Sequence, residues 1–195
     1  MSRAFTRVAG AMAALALAGC APGARPRGAT PDATPVPADR AEQLATALLL
    51  ADRADRSGDA AALAEAALTI DRLAPSARTD ADAETLRRWR TALPPGTAPL
   101  RGRALGPGYR SEVLMPGATT QLHQTFLGGR SAQIVVRVAE GPAPRMMVRD
   151  QSAREVCRAV RDPVNCRWVP LYTQRHSIEI VNTGDTTARF YIVFD

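Results

Sequence analysis

Three cysteines and two histidines give this chain its widest chemical range. Cys20 closes an apolar run near the N-terminus, where a thiol can pack, pair in a disulfide or act as a chemical handle. Cys157 and Cys166 stand nine positions apart, on either side of Ala159-Val160-Arg161-Asp162-Pro163-Val164. Zinc would need further Cys or His close by, and this spacing matches no zinc pattern. His123 and His176 each fall in a stretch that reads as a strand, where a surface or packing role explains them as well as a catalytic one. No Gly-x-Ser-x-Gly elbow presents a serine nucleophile. His-Glu-x-x-His, a Walker loop and a dinucleotide fingerprint do not occur either. Glu140, Glu155 and Glu179 read as solvated strand positions, with nothing to pair them for acid–base work. No catalytic residue, metal site or cofactor is assigned on these patterns.

The aromatic residues offer binding rather than bond-making. Trp168, Tyr172 and Tyr191 combine an apolar body with a polar tip, which suits a glycan or peptide face. Trp168, Tyr172 and His176 are the candidate ligand surface. The competing reading makes Trp168 a core residue packed against a neighbouring disulfide.

Charge narrows the partners further. The formal net charge is +6, and every basic residue is arginine. Residues 40–93 nevertheless hold eight Arg against nine acids, and residues 101–195 hold thirteen Arg, scattered singly, against eight acids. Tracking a phosphate backbone wants clustered positive charge. A nucleic-acid partner is therefore not expected, while attraction to an anionic membrane or glycan surface stays open.

The N-terminus carries an address. Arg3 and Arg7 precede the apolar run Val8 to Ala18, as in a secretory leader. The run is too short to span a bilayer, which needs ~20 apolar residues. Leu17-Ala18-Gly19-Cys20 resembles the lipobox of bacterial lipoproteins. The resemblance implies that residues 1–19 are removed as a signal peptide and that Cys20 is acylated on its thiol and new amine. Two or three acyl chains anchor stably where one gives marginal binding. Ala21, in place of an aspartate, resembles the outer-membrane sorting pattern of Gram-negative bacteria, so the expected partner is a lipid bilayer reached through Cys20. With Cys20 acylated in an oxidising compartment, Cys157 and Cys166 are the remaining even pair, and a disulfide across a hairpin loop is expected against two free thiols.

The elements that must carry these residues follow from composition and period. Residues 20–39 are rich in Pro, Ala, Gly and Thr without hydrophobic periodicity, and read as a disordered tether. Residues 40–95 read as a helical hairpin plus a short third helix. Leu44, Leu48, Ala51 and Ala54 mark the inner face of the first helix, with Asp52, Arg53, Asp55 and Arg56 mostly outside it. Ser57-Gly58-Asp59 breaks the pattern, and Asp59 caps a second helix with Leu63, Ala66, Ala67, Ile70 and Leu73 inward. Thr79-Asp80-Ala81-Asp82 reads as a capping box ahead of Leu86, Trp89 and Leu93. The hairpin has the form of one tetratricopeptide-like unit, yet solenoids need about three. It either packs on its neighbour domain or another copy, or offers a partner-binding face.

From residue 104 the period switches to two. Ile134, Val136 and Val138 alternate with Gln133, Val135 and Arg137, and Phe190, Ile192 and Phe194 with Tyr191 and Val193. Turn signals at Gly128-Gly129, Gly141-Pro142, Asp162-Pro163 and Asn182-Thr183-Gly184-Asp185 separate the strands. The expected fold class is α+β, mainly β: an N-terminal helical hairpin followed by an antiparallel β-sandwich over residues 104–195.

Gln124-Thr125-Phe126-Leu127-Gly128-Gly129 with its apolar strand, the strand ending at Asp150, the Trp168 strand and the final Ile-x-Ile-Val-Asn-x-Gly…Phe-Tyr hairpin together resemble the bacterial pre-peptidase C-terminal domain. That family implies a small β-sandwich found beside secreted proteases and in envelope proteins. Some members bind calcium through acids on a central strand. Here Gly141-Pro142-Ala143-Pro144-Arg145 stands in their place, so no calcium site is carried over. The functional expectation is a lipid-anchored envelope protein, not an enzyme, that binds or scaffolds an envelope protein or glycan. The alternative is an accessory substrate- or enzyme-binding module of a secreted hydrolase system.

Overall fold

The computed structural model describes residues 39–93, 96 and 106–195. The leader, Cys20 and the tether as far as residue 38 lie outside the described residues, as do Pro94 and Pro95.

Local chemistry sets the helix ends. α1 (Arg40–Ser57) starts where the Asp39 carboxylate accepts the Glu42 amide at 3.0 Å. It stops at Gly58, whose φ of 71° lies in the left-handed region that only glycine adopts without strain. α2 (Ala60–Leu73) is capped by Asp59 and α3 (Asp80–Arg90) by the Thr79 hydroxyl, which accepts the Asp82 amide at 3.1 Å. The two caps read from sequence are therefore present. Acids in the first turn of α3 and Arg87, Arg88 and Arg90 in its last turn complement the helix dipole. No described helix is long and apolar enough to cross a membrane.

Nine strands complete the described residues: β1 (Ser76–Ala77), β2 (Gly108–Leu114), β3 (Thr119–Phe126), β4 (Ala132–Glu140), β5 (Arg145–Arg149), β6 (Glu155–Ala159), β7 (Val164–Trp168), β8 (Gln174–Val181) and β9 (Ala188–Phe194). They form a five-stranded sheet in the order β1-β2-β9-β4-β7 and a four-stranded sheet in the order β3-β8-β5-β6. All pairings are antiparallel except the short β1–β2 pair. The fold is α+β and mainly β, with a sandwich at its centre.

Two hydrophobic cores hold three layers together. Between the sheets lie Leu122, Phe126, Ile134, Val136, Met146, Val148, Ile178, Ile180, Phe190 and Ile192. Between the helices and the five-stranded sheet lie Leu44, Leu48, Ile70, Leu86, Trp89, Tyr109, Val135, Tyr191 and Val193. Strands β4 and β9 are thus buried on both faces. This is why Ile134-Val135-Val136 and Phe190-Tyr191-Ile192-Val193-Phe194 read as continuous apolar runs beneath their alternation. The helical hairpin packs on the sheet and spends its apolar face there. Both cores lie wholly within residues 41–194.

Cys157 and Cys166 are joined, with their Cα atoms 5.9 Å apart. The bond does not close a hairpin. Cys157 sits on β6, an edge of the four-stranded sheet, and Cys166 on β7, an edge of the five-stranded sheet. The intervening loop crosses between sheets, so the disulfide clamps one open side of the sandwich. Closing so short a loop contributes about 2–3 kcal/mol in the chain-entropy model.

Candidate functional site

Trp168, Tyr172 and His176 do not form one surface. His176 is buried on β8. Its Nε2 stands 3.3 Å from the Trp168 indole N–H, which donates to it, and its Nδ1 lies 3.2 Å from the Gln174 carbonyl. Trp168 is half-buried and meets Phe126 edge-on at 4.8 Å between ring centroids. The Trp168–His176–Phe126 cluster belongs to the inter-sheet packing, because strand alternation turns positions 168 and 176 inward. Tyr172 lies in the β7–β8 loop, outside that alternation, and is 74% exposed. His123 faces solvent on β3.

Tyr172 has other apolar neighbours. Val169 and Leu171 (80% exposed) share its loop, and Leu127 projects from the β3–β4 loop beside it. The two loops are tied: Gly129 N–H donates to the Pro170 carbonyl at 2.8 Å, and Gly128 N–H to the Thr173 hydroxyl at 3.0 Å. A Cβ on Gly128 would fall 2.8 Å from the Tyr172 carbonyl carbon, so only glycine permits the approach. Buried Pro170 pins the loop while the residues on either side of it stay exposed. Sequence reading missed this group because apolar residues beside turn signals look like strand ends.

A second assembly, also missed, lies where α1 and α3 meet the sheet. The Asp52 carboxylate, expected on the outer face of α1, is buried and grips Arg189 of β9 through two hydrogen bonds of 2.6 and 2.8 Å. Asp55 accepts from the Trp89 indole at 3.0 Å and from Arg88 at 2.8 Å. Asp82 accepts from the Ser111 hydroxyl and amide at 2.6 and 3.1 Å, and its carbonyl takes the Tyr109 hydroxyl at 3.0 Å. The signal for Asp52 was present, since 44, 48 and 52 form one i, i+4 row. The cleft these residues line measures about 260 Å³, below the ~300 Å³ at which small-molecule pockets begin. Its carboxylates already have partners within the fold. The assembly is an interlock between layers.

Its titration follows from those partners. The Trp89 N–H, and then Arg88, hold the Asp55 carboxyl below the usual range against the opposing effect of burial. Burial, and then the negative charges of Asp82 and Asp52, push the Tyr109 and Tyr191 phenols well above theirs. A depressed carboxyl stabilises the fold above its unfolded pKa of about 4 and loses that contribution as pH falls through the folded value. A raised phenol contributes below about pH 10 and loses its share as pH rises. Thermal melts across the pH range should therefore show a plateau between about pH 4 and pH 10, falling on both sides. Asp55→Asn should flatten the acid limb, and an unchanged acid limb in that variant would refute the assignment.

A third feature is a groove of about 510 Å³ on the outer side of the α1–α2 pair, lined by Ala47, Leu50, Ala54, Ala62, Ala66 and Thr69. Among the described residues no three His, Cys, Asp or Glu side chains gather as metal ligands.

No family model and no curated protein matches the chain. Solved structures do show likeness to part of it. The pre-peptidase C-terminal domain of a collagenase from Bacillus anthracis is similar over 45% of this chain and 87% of its own, at 10% identity and a TM-score of 0.38. A periplasmic inhibitor of g-type lysozyme from Aeromonas hydrophila is similar over 46% and 86%, at 7% identity and a TM-score of 0.35. A de novo designed double-stranded β-helix is similar over 45% and 97%, at 16% identity and a TM-score of 0.31.

Proposed function

We propose that this chain is an outer-membrane lipoprotein facing the periplasm, whose folded unit binds or scaffolds an envelope component without catalysing a reaction. The observation that carries the reading is Leu17-Ala18-Gly19-Cys20 at the end of the apolar run from Val8. The disulfide between the sheets supports it, because such bonds persist in oxidising compartments. The engagement of both His176 ring nitrogens, and of Asp52, Asp55 and Asp82, favours a binding role over acid–base chemistry. Intact-mass measurement of the protein extracted from envelopes tests the reading directly. It should show a chain beginning at Cys20, carrying added acyl mass and lacking the two hydrogens of the Cys157–Cys166 bond. A mature chain that begins anywhere else overturns the anchor.

A further inference from the structure

We infer that the loop end formed by Leu127, Val169, Leu171 and Tyr172 is a second membrane contact, which seats the folded unit on a bilayer surface bearing anionic headgroups. Four exposed apolar side chains project from two loops whose backbones are bonded to each other. Aliphatic tips beside a tyrosine suit the boundary between acyl chains and headgroups, where one end of the ring is wet. The rim has the charge such a surface attracts. Arg40, Arg130 and Arg175 are exposed there and have no ion-pair partner among the described residues. Arg167 is paired with Asp39, and Asp195 is the acid that lines the same cleft as Arg40, Leu127 and Arg130.

The path of the chain singles out a bilayer as the occupant. The Asp39 carboxylate, at the N-cap of α1, pairs with Arg167, one residue before Trp168 and two before Val169. Arg40 follows in the cleft beside Leu127 and Arg130. The covalent connection to Cys20, nineteen positions upstream (39 − 20), therefore enters at the end that carries the exposed loops. An anchor attached there raises the local concentration of this end at the membrane surface. The identity of that membrane rests on the lipoprotein reading. The contact itself rests on the loops and the arginines.

The test uses residues 21–195, which lack the leader and Cys20 but contain both hydrophobic cores entire. This protein should co-float with phosphatidylcholine vesicles that contain phosphatidylglycerol, and much less with phosphatidylcholine vesicles, and salt should weaken the binding. Combining Leu171→Asp with Tyr172→Asp should lower the partition coefficient by about tenfold or more, with an unchanged melting temperature. Arg130→Gln and Arg175→Gln should each lower it by about fivefold. Absence of flotation with the anionic vesicles overturns the inference, as does equal flotation of the loop variant. A dimer that the loop variant dissociates also overturns it, in favour of a second copy as the occupant. Intact mass reads the acylation separately, so an acylated protein whose folded unit ignores vesicles would fail this inference alone.

Discussion

Trp89→Ala is expected to destabilise the folded unit by about 4 kcal/mol, as removal of a large buried aromatic side chain typically does. Trp89 is 1% exposed and lies in the core between the helices and the five-stranded sheet, with Leu44, Leu48, Tyr109 and Tyr191. Its indole N–H also donates to Asp55 at 3.0 Å, so truncation removes a charge-assisted hydrogen bond together with the packing. α3 docks through Leu86, Trp89 and the Asp82–Ser111 contact, and losing the Trp89 side chain loosens its hold. Hydrogen exchange should then show α3 opening first, while the inter-sheet core keeps its protection. Trp89→Phe retains most of the ring and should cost about 1–2 kcal/mol, the scale of one lost hydrogen bond. Urea denaturation followed by circular dichroism measures both values. A Trp89→Ala loss below 1 kcal/mol, on the order of a surface change, would show that α3 contributes little to the core.

Asp52→Ala should cost about 2–3 kcal/mol. Breaking a buried ion pair by removing one partner costs about 3–5 kcal/mol, and the lower figure allows for the remaining exposure of Arg189. The Asp52 side chain is 8% exposed and that of Arg189 25%. Once Asp52 is gone, the Arg189 guanidinium stays under the helical layer with Glu140 as its remaining ion-pair partner, at 4.0 Å. Arg56 also binds Asp52, at 2.8 Å, but its side chain is half exposed, so Arg56→Ala should change stability by less than about 1 kcal/mol. The double variant Asp52→Leu with Arg189→Met should recover most of the loss, because apolar replacement removes both desolvation costs together. Failure of the pair to recover would mean that Asp52 acts through α1 itself rather than through Arg189.

These two residues also mark where sequence reading succeeded and where it stopped. Trp89 was legible as a core position, because it follows Leu86 at helical spacing behind a capping threonine. Asp52 was not. An acid in an amphipathic helix is assigned to solvent by its chemistry, and only a cation waiting on β9 reverses that assignment. The disulfide shows the same division. Its two cysteines could be paired from their number and the expected compartment, but a hairpin and a crossover between sheets have the same loop length. Trp168 and His176 carried two readings, ligand surface or packing, because aromatics and histidines serve in both, and their strand register settles them as packing residues by turning them inward.

What the sequence determined by itself was everything carried by local chemistry and period. The helix caps at Asp59 and Thr79, the strand alternation, the turns and the mainly β fold class all depend on residues close together in the chain. The lipobox-like Leu17-Ala18-Gly19-Cys20 is of the same kind, a short pattern read in place. The tertiary structure decided what depends on distant partners. It buried β4 and β9 on both faces, sent Asp52 to Arg189, set the disulfide between sheets and brought the Leu127 and Leu171–Tyr172 loops to the end where the chain enters at Asp39. The physical reason is one of range. Caps, turns and amphipathic period act over a few residues, whereas burial and ion pairing are settled by which surfaces meet once the layers have packed.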